Sequence, residues 1–293
     1  MNPLPQSKDI AFFRDHGWWL SPPIFTDAEL DAAIREQDRF YAGSHDHPSP
    51  IAHMRYPGWN PETGTAHELR KNDYAFIQNP LFATLIIGKP AIAQIAATLM
   101  GVEGVRLWHD QLLFKPPLPA AEGGIGELVS VGWHTDHGYW RCCTGPMITA
   151  WVPFTEVTAE MGPVTMIDGS HAWPEAEGLD FFSNDLDGQR QRFTRAGQNV
   201  DEVPMLMQRG QVSFHDWRTI HGSRPNIGNR PRRALAIHLQ ALENRWRSVT
   251  DPKTGEQFEH VNDHLVRRDA DGHPDYTDPH FCPVLPLPLA SRA

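Results

Sequence analysis

Val105-Arg106-Leu107-Trp108-His109-Asp110-Gln111-Leu112-Leu113-Phe114-Lys115 opens a series of seven short apolar or alternating runs, and the reading of that series decides the fold. The other six are residues 129–136, 147–152, 164–167, 205–207, 211–215 and 234–242, with Gly, Pro, Asn and Asp in the gaps. Short β-prone runs between turn formers read as strands, and seven of them predict a sandwich or small barrel. Working outward, residues 1–103 are expected to be largely helical. Thr26 and Glu29 form a capping box, Leu30, Ile34 and Tyr41 then share a helix face, and a second helix begins at Asn79-Pro80. Ile92, Ile95, Ala96 and Leu99 repeat at helical spacing and stop at Gly101, a suitable C-cap. The strand region is expected to span 104–245. The polar tail, 246–293, ends in the proline-rich HFCPVLPLPLA and should run as an extended wrap. No linker or internal repeat divides the 293 residues, so one domain is expected.

Composition narrows the function. With 26 Lys and Arg against 36 Asp and Glu the formal charge is −10, which argues against nucleic acid as a partner. No stretch approaches the eighteen or so apolar residues of a membrane helix, which makes a soluble globular protein the expectation. Lys8, Asp9, Arg14 and Asp15 interrupt any secretory h-region, and three cysteines, two of them the adjacent Cys142 and Cys143, are too few for a disulfide framework. A reducing cytoplasm and a small-molecule substrate follow as expectations, and oligomeric state is left open. Twenty-six prolines weigh against a helix bundle, while sixteen histidines permit metal chemistry.

The chemistry concentrates in Gly132-Trp133-His134-Thr135-Asp136-His137. On a strand, His134 and Asp136 leave from one face with Cα atoms roughly 6.6 Å apart, so an imidazole and a carboxylate can converge on one ion. An H-x-D tripeptide is by itself as readily a surface turn. A distant histidine would complete a facial triad, the donor set of non-haem Fe(II) oxygenases, which leaves three positions open on an octahedral ion. Downstream, Phe214-His215-Asp216-Trp217-Arg218-Thr219-Ile220-His221-Gly222-Ser223 supplies candidates, followed by Arg230, Arg232 and Arg233 at the start of a run.

In order along the chain, Gln111 to Pro117, Trp133-His134-x-Asp136, Ala150-Trp151, Glu160-Met161-Gly162-Pro163 with Asp168-Gly169-Ser170-His171, and His221-Gly222-Ser223 with Arg232 eleven residues on resemble the phytanoyl-CoA dioxygenase family of Fe(II)/2-oxoglutarate oxygenases. The resemblance covers most of 105–242. It implies a double-stranded β-helix, or jelly-roll, core carrying N-terminal helices, and Fe(II), 2-oxoglutarate and O2 as cofactor and cosubstrates. His134, Asp136 and His221 would be the iron ligands and catalytic residues, and Arg232 would pair with the distal carboxylate of 2-oxoglutarate, a role its planar fork of donors suits. Lys115, Trp151 and Ser223 stand where that family adds cosubstrate contacts, although Trp151 reads equally as a core aromatic. Asp136 sits where related halogenases carry a small residue. The implied reaction is oxidative decarboxylation to succinate and CO2 with hydroxylation of an unactivated C–H bond; desaturation, ring formation and epimerisation share the site.

Other histidines compete. His215 lies near His221 but lacks the following Gly-Ser, His238 reads as a packed strand histidine, and His171 as structural. His137 is expected at the pocket edge, with Tyr139 and Trp140 beside it as substrate contacts, and Trp173, Phe181 and Phe182 in the 172–184 loop as further walls. Cys142 and Cys143 are expected as small apolar lining groups. The span from Pro117 to Ser130 is an insertion candidate beside the site. A binuclear zinc hydrolase would need a histidine where Gly132 stands, and a non-catalytic jelly-roll binding or sensing module is the remaining rival.

Overall fold

Arg232–Ala241 alternates small or polar residues with Leu235, Ile237 and Leu239, and this alternation organises the molecule. The computed structural model describes residues 3–51, 69–118, 130–174, 179–250 and 255–286. Its strands in chain order are β1 (Trp18–Leu20), β2 (Arg70–Asp73), β3 (Val105–Lys115), β4 (Val131–His134), β5 (Met147–Pro153), β6 (Thr165–Ile167), β7 (Glu202–Pro204), β8 (Ser213–Asp216), β9 (His221–Ser223) and β10 (Arg232–Ala241). They form two antiparallel sheets, β1-β8-β5-β10-β3-β2 and β4-β9-β6-β7, whose facing side chains line one cavity. The helices are α1 (Ser7–His16), α2 (Asp27–Tyr41), α3 (Ala75–Gln78), α4 (Pro80–Ile87), α5 (Pro90–Met100), α6 (Leu186–Arg195) and α7 (Val261–Leu265). Among the described residues no single helix is long and apolar enough to cross a membrane.

Period 2 sorts the larger sheet. Leu235, Ile237 and Leu239 of β10, Ile148, Ala150 and Val152 of β5 and Phe214 of β8 share one apolar cluster with Leu30, Ile92, Ile95 and Ile86 of the helices. Arg232, Ala236 and His238 of β10 and Thr149 and Trp151 of β5 therefore face the cavity. In β3 the faces exchange partway. Register slips where His238 pairs with His109 but Leu239 pairs with Leu107, leaving Trp108 as an extra residue. A bulge of one residue reverses the alternation. Val105 and Leu107 consequently face the helices, whereas His109, Gln111, Leu113 and Lys115 face the cavity.

Thr26 caps α2 as expected, its hydroxyl accepting from Glu29 N and the Glu29 carboxylate accepting from Thr26 N at 2.8 Å. Leu30 is fully buried, while Ile34 and Tyr41 pack partly buried against the same core. The apolar stretch after Asn79 is two helices, because Pro90 cannot donate and pushes Lys89 out of the helical region. Gly101 ends α5 in the left-handed conformation, φ 68°.

Four further differences from expectation have identifiable causes, some local and some in pairing between distant segments. Residues 205–207 are not a strand: the Leu206 N–H turns back to Pro204 O, and β7 precedes them. β1, β2 and β9 have three or four residues, too few for a periodic signal, and exist by pairing with β8, β3, and β4 and β6. The 246–286 region contains α7, whose His260 and Asp263 make a capping box. Near the end, Pro283 O and Leu285 N bond to Leu107 N and Val105 O, covering the part of the β3 edge that β2 leaves open.

Candidate metal centre

β4 stops at His134 because Thr135 caps a 3-10 turn, Asp136–Tyr139, its hydroxyl accepting from Gly138 N at 3.2 Å. Asp136 thus meets His134 by turning, not by the strand pleat that the sequence suggested. His221 is brought in by pairing: it lies directly opposite His134 on β9. One ligand-capable atom from each of His134, Asp136 and His221 falls within 4.8 Å of the others.

The protonation pattern suits a cation. His134 Nδ1 is 2.8 Å from Gly132 O and His221 Nδ1 is 3.0 Å from Thr219 O. Carbonyls only accept, so both protons sit on Nδ1 and both Nε2 lone pairs are free to coordinate. Burial holds both imidazoles below their ordinary range, hence neutral. Burial pushes the Asp136 carboxyl up, but attraction to the His221 imidazole, which becomes a cation in acid, outweighs it, and the net shift is well below the usual range. Thr149 Oγ1 donates to Asp136 Oδ2 at 2.6 Å, leaving Oδ1 on the His221 side, 3.9 Å from Nε2. Two imidazole nitrogens and one carboxylate oxygen fit a divalent first-row metal of the facial-triad type. Thr149→Val is therefore expected to weaken Fe(II) binding about 10–100-fold, as lost outer partners do. A chelator competition titration giving an unchanged constant would refute it.

Gly132 explains the spacing of the motif. Gly132 N donates to Phe181 O at 2.9 Å and Asp180 N donates to Trp133 O at 3.1 Å, so residues 180–181 lie against β4. A Cβ on Gly132 would stand 2.0 Å from Asp180 O, so no histidine fits where the zinc-hydrolase pattern needs one. Gly132→Ala is expected to cost about 1–3 kcal/mol by overpacking. Urea unfolding would measure it, and a midpoint equal to wild type would contradict the close approach.

The other end of the cavity is cationic. Arg232 pairs in register with Lys115 across β10 and β3, and both are buried. Arg232 donates to Gly162 O and lies 5.3 Å from the Trp151 ring centroid. Lys115 Nζ donates to Ser223 Oγ at 2.6 Å and Arg224 O at 2.7 Å. These acceptors are neutral, and no carboxylate among the described residues bridges to either cation. Burial pulls Arg232 down to about 9; burial and the adjacent Arg232 charge pull Lys115 well below its usual range. Two desolvated cations side by side call for an anionic ligand.

Between these ends lies a cavity of about 420 Å³. Trp151, Ser223, Tyr139, Trp140, Phe181 and Phe182 line it. His137 does not: its ring meets Trp217 edge-on at 4.7 Å, because the 3-10 turn carries it away from Asp136. Trp173 packs on Phe193, and Cys142 and Cys143 are buried in a separate apolar cluster, so none of the three lines the cavity. His171 bonds Arg14 O and is structural. His215 Nε2 is 3.3 Å from Asp136 Oδ2, on the side away from Oδ1. The insertion candidate lies mostly outside the described residues, and so does part of the 172–184 loop.

Lys71, Asp73, His109, Thr149 and His260 also line the cavity, and none of them belongs to a motif legible in the sequence. His109, Gln111, Leu113 and Lys115 do alternate in sequence, which is a usable signal, but Leu107 and Val105 continue the same alternation and only the bulge separates them.

Two facing antiparallel sheets with this donor set and a buried cationic end define a class, the jelly-roll non-haem iron oxygenases that use 2-oxoglutarate. A model of the phytanoyl-CoA dioxygenase (PhyH) family matches residues 13–234, and the chain belongs to that family. A probable alpha-ketoglutarate-dependent hypophosphite dioxygenase of Stutzerimonas stutzeri is 24% identical over 143 residues, 48% of this chain and 47% of the relative, so the match spans about half of each. Among solved structures, the non-haem alpha-ketoglutarate-dependent carbocyclase SnoK from nogalamycin biosynthesis superposes with TM-score 0.68 at 18% identity over 96% of this chain and 97% of its own. The epimerase SnoN, in complex with Fe3+, alpha-ketoglutarate and nogalamycin RO, gives 0.65 at 20% over 95% and 98%. EctD from S. alaskensis, with 2-oxoglutarate and 5-hydroxyectoine, gives 0.64 at 21% over 87% and 83%. At these identities the likeness is one of fold.

Proposed function

We propose that this protein hydroxylates an unactivated C–H bond of a small or medium-sized organic metabolite: substrate, 2-oxoglutarate and O2 give hydroxylated substrate, succinate and CO2. His134, Asp136 and His221 would hold Fe(II), which supplies the dioxygen and one-electron chemistry when bound. Arg232, with Lys115 and Ser223 behind it, would hold the distal carboxylate of 2-oxoglutarate, and Trp151 would pack against the cosubstrate. One observation carries the reading: a three-donor cluster and a pair of buried cations lacking a carboxylate partner share one cavity. Tyr139 and Trp140 would contact the substrate, and the aromatic pair Phe181 and Phe182 would keep bulk water from it. The buried free cysteines suit a reducing cytoplasm.

The test has two parts. Anaerobic addition of Fe(II) and 2-oxoglutarate should produce a weak visible charge-transfer band, and a metabolite screen read by succinate release should find compounds that accelerate turnover. Tightly held zinc with indifference to 2-oxoglutarate would overturn the proposal in favour of a hydrolase or a binding module. The product distinguishes hydroxylation from ring closure or epimerisation, the reactions named for SnoK and SnoN.

A further inference from the structure

Six residues along β10 from Arg232, about 20 Å for an extended chain, a second polar group crosses the inner face of the larger sheet. Register aligns His109 of β3, His238 of β10, Thr149 of β5 and His215 of β8 in one row. His109 and His238 are 4.5 Å apart by ring centroids, and His260, at the start of α7, lies 5.3 Å from His109. All three imidazoles are at least nine-tenths buried and line the cavity.

Their hydrogen-bond roles follow from their neighbours. Thr149 spends its hydroxyl proton on Asp136 Oδ2, so it accepts from His238 Nδ1 at 2.8 Å. His238 Nε2 is then a bare lone pair, buried and without a partner among the described residues. His260 Nδ1 accepts from Asn262 N at 3.1 Å, which places its proton on Nε2. His109 bonds through neither ring nitrogen, and Asp73 Oδ1, 3.8 Å from its Nδ1, is likewise unbonded. Lys71 Nζ, 3.9 Å from Asp73 Oδ1, offsets that carboxylate. Burial pushes His238 and His260 down to about 3 and His109 well below its usual range, so the wall is uncharged at neutral pH.

We propose that this histidine wall is the subsite for the primary substrate and that it takes neutral hydroxyl groups, one donating to His238 Nε2 and one accepting from the N–H of His260. Only a ligand that both gives and receives hydrogen bonds matches one fixed lone pair and one fixed N–H on rings that both neighbour His109. An alkyl or acyl chain would leave these polar atoms dry and unpaired. Lys71 and Asp73 offset each other beside the wall, so it offers no uncompensated charge to hold an anion or a cation. The row also joins substrate to metal site, since a hydroxyl on His238 continues the chain through Thr149 to the Asp136 carboxylate.

The inference rests on the oxygenase reading, and the experiment separates the two. Protein loaded anaerobically with Fe(II) and 2-oxoglutarate is first read by its charge-transfer band; absence of the band is a failure of the oxygenase reading. Zn(II)- and 2-oxoglutarate-loaded protein is then titrated, by ligand-observed saturation-transfer NMR, with cis-cyclohexane-1,2-diol, methoxycyclohexane, cyclohexanecarboxylate and cyclohexylamine. The diol is expected to bind saturably and at least about tenfold more tightly than the other three, since a site built around a hydroxyl rejects analogues lacking it. His238→Asn keeps a donor toward Thr149 and removes the Nε2 acceptor, and it should lower diol affinity at least about fivefold; His109→Gln should retain more of it than His109→Leu. A diol that fails to bind, or that binds no better than the carboxylate, amine or ether, overturns the subsite. Selective diol binding unaltered in His238→Asn and His109→Leu overturns the assignment to this wall, and the wild-type comparison stands even if a variant misfolds.

Discussion

Replacing His221 by alanine is expected to abolish the Fe(II)/2-oxoglutarate charge-transfer band and with it substrate-stimulated succinate release. Removing a group that merely supports a ligand costs about 10–100-fold in metal affinity, so losing the ligand itself should cost more than about 100-fold. The geometry makes the outcome specific. His221 and His134 present Nε2 from directly paired positions, each with Nδ1 tied to a carbonyl two residues back. His215 has its ring centroid 4.3 Å from that of His221 but lies beside Asp136 Oδ2, the oxygen already bonded by Thr149. An anaerobic titration in which His221→Ala still forms the band, while His215→Ala does not, would transfer the third-ligand role to His215.

Arg232→Ala is expected to act on the cosubstrate and leave the metal alone. Truncating one partner of a buried, hydrogen-bonded charge pair costs about 2–5 kcal/mol, or upward of about 30-fold in affinity. Arg232 is buried with Lys115 opposite and with no carboxylate paired to it among the described residues, so nothing nearby replaces its bidentate fork. The 2-oxoglutarate concentration for half-maximal turnover should therefore rise at least about 30-fold, while Fe(II) affinity measured without 2-oxoglutarate stays within about twofold. Equal losses in both titrations would mean that the substitution disturbs the sheet, and the anion-binding role would have to be withdrawn. Arg232→Lys should recover part of the loss, since a point charge replaces the charge and not the fork.

Much of this was legible in the chain because the relevant periodicities are short. The bounds of β3 were readable to the residue, the capping box at Thr26 and the stop at Gly101 are local chemistry, and the order of motifs from Gln111 to Arg232 identified the family. His134 and Asp136 stand two residues apart, so any turn or strand keeps them close; their proximity is a property of the chain.

The rest depended on contacts between distant segments. The Gly-Ser after His221 marks it over His215 only by resemblance, since both sit in short strands six residues apart; pairing of β9 with β4 is what physically sets His221 opposite His134. Period 2 assigns a strand two faces but does not say which face meets the helices, and one unpaired residue at Trp108 exchanges them, turning His109 from the helix layer into the cavity. His137 points away from the cavity because the four residues after Thr135 close into a 3-10 turn. Composition and spacing thus determined which groups exist and which must be neighbours along the chain. Sheet register, a long-range hydrogen-bonding decision made once for all the strands together, determined which of them face one another around the cavity.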